Sequence, residues 1–456
     1  MIEYKIIDFI SAAKKYVVPI FKINKWKLYK EKKQIQFSSP NEILNYQTIK
    51  LRKLLQIALN SPYYREIINS FNIPIEKFEI DDLKKFPILT KDIIRREKYR
   101  LLCKPLKYLY PNASGGSTGE PINFYQDENY RFHVWATMFI VLEMCGWRYG
   151  VRIARLWGAP QDRPSLKSKI AYYFQNTRFY DSFNMSEEMM KLYHNDMSKF
   201  RPGIIISYAS SIYLLARFLK TNNITPNYPT ISINTSAETL YPHMRELIEK
   251  VFNVKVFDKY GSREVSAIAC ECECHNGLHV FMDNVILECL DPITGKEIYD
   301  EPGELIITDL NNYGMPFIRY RIGDMGILTK EKCACGRQTQ VLRRVIGRTT
   351  DNFILQDGRI IHGEYFTHLF YNTEGIKEFQ FIQETPYKYE LNIVKAEGFN
   401  EKQFDVIVNK IRTIIGTNSV LNIKFLDNIP KTPTGKYRFT ISKVNLFTSY
   451  NQNQNK

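Results

Sequence analysis

Apolar residues in ILNYQTIKLRKLLQIALNSPYYREIINSF, residues 43–71, recur at the three- and four-residue spacing of one helix face, and Ser61-Pro62 interrupts them. In FPILTKDIIRREKY, Thr90 stands ahead of Asp92 and Ile93 in the place of a helix cap. Helical and extended stretches then alternate. Helices are predicted at about 128–146, 186–199, 209–221 and 240–252, and they precede VRIARLWG, GIIISYAS, TISINTSAE and VKVFDKYGS in turn. Short apolar strands that each lead into a helix imply an α/β chain whose largely parallel sheet is covered on both faces. Ligands of such folds bind in the loops at the carboxyl ends of the strands. Three of those loops are small and polar: YASS, TSAE and YGSRE.

From about 278 to 330 the pattern turns β-rich, with HVFMDNVILECL, GELIITDL and PFIRYRIGDMGIL separated by turns. Beyond VIGRTTDNF lies a compact α+β tail. It holds a strand pair (EFQFIQETPYKYELNIV), a helix (EKQFDVIVNKIRTIIG), a strand (LNIKFL) and the loop NIPKTPTGKYRF. The expected division is a large domain over 1–346, with a β-rich subdomain and a basic extension over 1–40, and a small, mobile C-terminal domain over 347–456.

Hydrophobic residues make up 44% of the 456 positions and charged ones 24%, which is ordinary globular composition. No apolar run approaches the roughly 18 residues of a membrane span, and the N-terminus is a poor secretory signal. The expected location is the cytoplasm. The formal charge is +15, densest in residues 1–33, where nine Lys face Glu3, Asp8 and Glu31. Two readings follow: a helix resting on an anionic membrane or partner, or a helix packed on its own domain with a solvated basic face. The second is favoured.

The stretch ASGGSTGEP places Gly115, Gly116 and Gly119 among Ser114, Ser117 and Thr118. Glycines let backbone N–H groups approach phosphate oxygens closely, and the hydroxyls add short donors. The lysine that ends the common nucleotide loop is missing; Glu120 and Pro121 stand there instead. The positive charge has to come from elsewhere.

SGGSTGEP, TSAE, YGSRE, YRIGD, IGRTTD and PKTPTGK occur in the order and approximate spacing of the adenylate-forming ligases. LRKLLQIALNSPYYRE followed by LKKFPILTKDII resembles the N-terminal helices of the phenylacetate–coenzyme A ligase-like branch. The resemblance spans roughly residues 45–445 and implies an enzyme that makes an acyl-adenylate from a carboxylate and ATP, releases pyrophosphate, and passes the acyl group to a thiol or another acceptor. It also implies roles. Ser114 to Gly119 would hold the β- and γ-phosphates. Lys436 would bring its ammonium to the α-phosphate when the small domain closes, about a hinge near Asp351. Ser236, Ala237 and Glu238 would line the adenine and acyl pockets, as would Tyr260 with Gly261 and Ser262. Glu264 would coordinate Mg²⁺, Asp324 would accept from the ribose hydroxyls, and Arg348 would partner it at the ribose or phosphates.

Of eight cysteines, five lie in two clusters, which in a cytosolic chain read as metal ligands. Cys272, His279, Cys333 and Cys335 make a set fit for a structural Zn²⁺. Cys270, Cys274 and His275 are rivals, and the resemblance favours Cys272 and His279. The acyl pocket is the least legible part. Trp135, Tyr208, Ala209, Ser210 and Ala237 are candidate walls; an aryl or arylacetic acid fits them, and no charge stands out to recognise an amino group or second carboxylate.

The implied partners are ATP, Mg²⁺, a small carboxylic acid, and either coenzyme A or a sugar acceptor. Similar sequences with a longer basic N-terminus are associated with capsular polysaccharide assembly. Peripheral membrane contact and a homodimer are compatible with this reading. The competing classes are a basic zinc-containing nucleic-acid binder and a catalytically degenerate scaffold. The first needs its charge around the cysteines, where it is sparse; the second is disfavoured by Lys436, Glu264 and Asp324.

Overall fold

The computed structural model describes residues 23–71, 74–114, 122–158, 172, 175–182, 185–348, 352–356, 360–362, 366, 369–370, 373, 375–416, 418–430 and 438–444; at residues 23–25, Arg348, Asn352, Ile360 and His362 it describes the backbone only. The chain forms two compact units, a large one that runs, apart from short segments, to Val345, and a small one from Ile346 onward.

The large unit begins with α1 (Ile23–Ile35), α2 (Pro40–Ala58) and α3 (Pro62–Asn69). Ser39 starts α2 with a capping box to Glu42, and Ser61 caps α3, whose first residue is the Pro62 that breaks the apolar pattern. Thr90 accepts from Ile93 N–H at the start of α4 (Lys91–Glu97). A hairpin of β1 (Tyr110–Ala113) and β2 (Asn123–Gln126) leads to α5 (Glu128–Met144), capped by Asp127.

There follow β3 (Ile153–Trp157), β4 (Thr177–Asp181), α6 (Glu187–Phe200), β5 (Ile204–Tyr208), α7 (Ala209–Thr221), β6 (Ser232–Ser236), α8 (Pro242–Phe252) and β7 (Lys255–Ser262). Arg201 and Asn253 end α6 and α8 in the left-handed conformation. The β-rich block is β8 (Ser266–Glu271), β9 (Leu278–Val280), β10 (Val285–Leu290), β11 (Gly303–Asp309), β12 (Tyr320–Thr329) and β13 (Val341–Arg348). These eleven strands join in one sheet of order β10-β11-β12-β13-β9-β8-β7-β6-β5-β3-β4. From β4 to β7 the neighbours are parallel; β7–β8, β8–β9 and β9–β13 are antiparallel. The α/β pattern thus gives the expected mixed sheet with helices against it.

The segment α1 is seated on its own unit. Lys32 is fully buried and ion-paired with Asp283, with a further bond to Asn284, and Tyr29 donates to Glu143 of α5. A solvated basic face therefore misdescribes Lys32; residues 1–22 lie outside the described part. No helix among the described residues is long and apolar enough to cross a membrane.

The small unit holds β14 (Asn352–Ile354), β15 (Ile360–His362), β16 (Ile376–Thr385), β17 (Lys388–Lys395), α9 (Glu401–Ile415), β18 (Val420–Phe425) and β19 (Thr440–Ser442). Its four-stranded sheet has the order β18-β17-β16-β19. Phe404, Ile407, Val408 and Ile411 of α9 pack against Phe379, Phe381, Leu391 and Ile393, so one amphipathic helix covers one sheet face.

Candidate active site and metal cluster

Parallel register brings the ends of β5 and β6 level with Lys259 of β7, just before the YGSRE stretch. Tyr208 pairs with Ser236, and Ser236 with Lys259. The three polar loops read from the sequence therefore open side by side, as the handedness of parallel βαβ units requires.

Each loop is tied down locally. Ala209 is buried at the start of α7, and Ser210 N–H donates to Glu238 Oε2 at 2.8 Å, so Glu238 bridges the loop after β6 to that helix end. Ala237 sits at φ +70°, the turn that lets Glu238 reach back. Gly261 lies where the β7–β8 pairing shifts register, and a Cβ there would meet the Ser266 carbonyl oxygen at 2.4 Å. Only glycine fits so close an approach. Ser262 Oγ accepts from Val265 N–H at 3.3 Å, holding the turn that carries Glu264.

Glu264 is buried, and Tyr320 at the start of β12 donates its hydroxyl to Oε1 at 3.1 Å. Gln126 Nε2 donates to the Arg263 carbonyl at 3.0 Å and the Tyr130 hydroxyl to the Glu264 carbonyl at 3.3 Å. Tyr320 thus holds the carboxylate itself, and Gln126 and Tyr130 hold the backbone that carries it. Oxygen donors of this kind suit Mg²⁺. Tyr320, Gln126 and Tyr130 were not singled out from the sequence; a lone Tyr in YRIGD carries no signal until the strands are paired.

Tyr260 is buried in the main core with Val265 and Ile268, on the face of β7 opposite Lys259. Asp324 is buried on β12, and Arg348 ends β13. Ser114 is buried, and its N–H donates to the Ile122 carbonyl while Ile122 N–H donates to Ser114 Oγ, both at 2.9 Å. Its hydroxyl oxygen is thereby occupied by the backbone, which pins the two ends of the glycine loop together. Gly115, Gly116, Ser117, Thr118, Gly119 and Lys436 lie outside the described residues, as does Asp351.

Of the candidate acyl walls, Tyr208 stacks on Trp157 with ring centroids 4.1 Å apart. Trp135 keeps different company. It meets Trp26 of α1 at 5.9 Å and Phe139 at 4.7 Å, in a cluster with Tyr29.

Cys272, His279, Cys333 and Cys335 converge, with all four ligand atoms within 4.8 Å of one another. Cys272 Sγ lies 3.6 Å from Cys333 Sγ, and Cys335 Sγ 3.2 Å from His279 Nε2. His279 Nδ1 faces Thr339 Oγ1 at 3.0 Å, a partner of the kind that orients a ligating imidazole. Burial, then the nearby Arg337 charge, lowers the His279 pKa to about 4, so the ring is neutral as a ligand must be. Three thiols and one imidazole in a compact, mostly buried group fit Zn²⁺. The rivals stand apart: Cys274 is exposed, and His275 turns to Glu271 at 3.4 Å and to the Phe257 ring.

Residues 353–443 match the family model described as the CapK C-terminal domain. The chain is 28% identical to Protein CapK of Staphylococcus aureus, over 85% of this chain and 86% of that protein. It is 25% identical to the phenylacetate-coenzyme A ligase of Thermus thermophilus, over 74% and 78%. Among solved structures, 2-hydroxyisobutyryl-CoA ligase in its postadenylation state with 2-HIB-AMP matches with a TM-score of 0.73 at 18% identity, covering 93% of this chain and 94% of that one. The fold is that of the adenylate-forming coenzyme A ligases. The chain's homologues are CapK and the phenylacetate–coenzyme A ligases, the branch to which the ordered motifs pointed.

Proposed function

We propose that this protein is an adenylate-forming coenzyme A ligase. A carboxylate oxygen of the substrate attacks the α-phosphorus of ATP, the bond to pyrophosphate breaks, and an acyl-adenylate forms. The sulfur of coenzyme A then attacks the acyl carbon, AMP leaves, and the thiol proton passes to solvent. The observation that carries this reading is the level opening of three polar loops beside a buried carboxylate, Glu264, fixed by Tyr320. Glu264 would hold a Mg²⁺, which when bound neutralises phosphate charge. Ser236 and the loop after β6 would seat the nucleotide, Asp324 the ribose, and Arg348 the ribose or phosphates. Lys436 would supply the cation that the glycine loop lacks.

Pyrophosphate exchange over a panel of carboxylic acids tests this. Exchange should appear with at least one acid, and Lys436→Ala should lower it by about a thousandfold or more, since the lost charge acts mainly in the transition state. Near wild-type exchange by Lys436→Ala overturns the role. A sugar amine or hydroxyl as final acceptor is a second reading, favoured by the CapK relative together with the basic N-terminal segment. AMP release that requires an amino sugar and ignores coenzyme A would select it.

Cys272, His279, Cys333 and Cys335 would hold a structural Zn²⁺ that pins the segment after β8 to the β12–β13 connection. Metal analysis of purified protein should give about one zinc per chain, lost in Cys333→Ser.

A further inference from the structure

Two cations face the same side of the parallel sheet as the candidate acyl wall Tyr208. At the carboxyl edge the strand register gives one row: Trp157 stacked on Tyr208, Tyr208 beside Ser236, and Ser236 beside Lys259. One step back along the strands, Arg155 pairs with Ile206, and Ile206 with Asn234. Side chains at paired parallel positions share a face, so Arg155 and Lys259 project to one side of the sheet.

These groups are underused by the protein. Among the described residues no hydrogen bond or ion pair reaches Arg155 or Lys259, and the buried Arg155 Nε and Asn234 Oδ1 are both without partners. Arg155 is instead held by the Tyr172 and Phe179 rings, 5.8 and 5.9 Å from its guanidinium carbon. Burial lowers the Lys259 pKa, and the Arg155 charge adds to that while the neighbouring Asp258 opposes it. Asp181 shares this face: it ends β4, the strand beside Arg155, one strand and two positions away, and it lies four strands from Lys259. Among the described residues no ion pair joins either cation to a carboxylate, and two like charges turned to one space repel unless something anionic arrives between them.

We propose that Arg155 and Lys259 are specificity-determining residues that recognise a second anionic group on the acid being activated, so that the substrate is a dicarboxylate or a carboxylic acid bearing a phosphonate or phosphate. The inference rests on the ligase reading above. It adds a second anion to the aryl or aliphatic acid, and supplies the charge that the sequence alone did not reveal. A guanidinium binds such a group through a planar fork and an ammonium as a point charge, so the pair clamps it from two sides.

The test is pyrophosphate exchange with matched acids: phenylacetate against homophthalate, hexanoate against adipate, propionate against phosphonoacetate. Wild-type protein should favour the doubly charged member of at least one pair by about tenfold or more in kcat/KM. Lys259→Met and Arg155→Met should each cut that ratio to about threefold or less, with the loss mostly in KM. The carboxylate and phosphonate pairs tell which anion is read. Wild-type preference for the singly charged members, or a ratio unmoved in both variants, overturns this inference and leaves the ligase reading standing. Exchange with none of the acids, singly or doubly charged, counts against the ligase reading and sinks both.

Discussion

Lys32 and Lys259 are both lysines drawn into the body of the large unit, and they are treated in opposite ways. Lys32 meets Asp283 and Asn284, and Asn284 in turn bonds Thr137 and Asn311 at 2.9 Å each. Its charge is absorbed into a network that docks α1. Lys259 makes no hydrogen bond or ion pair with a carboxylate among the described residues, feels the Asp258 charge from the other face of β7, and lies level with the ends of β5 and β6. A fully buried charge with its partners in place is architecture; a half-buried charge without an ion-pair partner is the one proposed to meet a substrate anion.

The comparison can be broken most readily at Lys32. Lys32→Met should destabilise the protein by about 3 kcal/mol, because Asp283 is left buried without its counter-charge; equal urea midpoints for variant and parent would show that the pair is not structural. A smaller effect is expected at Asp258, the neighbour of Lys259 on the other face of β7. Burial, aided by the Glu271 charge, raises its carboxyl to about 7. The folded state then holds a proton that the unfolded state has lost, so this contribution fades as pH rises from the ordinary value of 3.8 through about 7. Asp258→Asn should remove roughly 1 kcal/mol of that decline, read by denaturation at mildly acid and mildly alkaline pH. At Lys259 itself, Met should leave stability unchanged or raise it by about 1 kcal/mol, the reverse of Lys32. A loss like that of Lys32→Met would mean Lys259 has a structural partner after all. Lys33 pairs with Glu143 at 2.8 Å but is more than half exposed, at 53%. Lys33→Ala should move the midpoint by no more than about 0.5 kcal/mol.

Much of this architecture is legible along the chain. Ser39, Ser61, Thr90 and Ser186 announce their helices, and the strand-loop endings at Tyr208, Ser236 and Ser262 fall where the apolar runs stop. Their convergence is also legible, because parallel strands joined by helices can only present their carboxyl ends together. What is not legible is pairing between distant positions. Nothing around Lys32 distinguishes it from eight other lysines of the N-terminal stretch, since its partner lies 251 residues away. Arg155 and Lys259 each look like a stray charge in an apolar strand until register puts them on one face. Trp135 shows the converse: an aromatic residue at helical spacing names a buried side, and does not say which neighbour fills it.

The sulfurs of Cys272 and Cys333, 61 positions apart, approach within 3.6 Å. The Zn²⁺ proposed there would turn the intervening chain into a ring that carries β9 to β12, with Tyr320 among them. For a ring of that size, closure would restrict the unfolded chain by about 4 kcal/mol. The hydroxyl that steadies Glu264 would then hang on that ring, so removal of the metal should loosen the carboxylate without touching it directly.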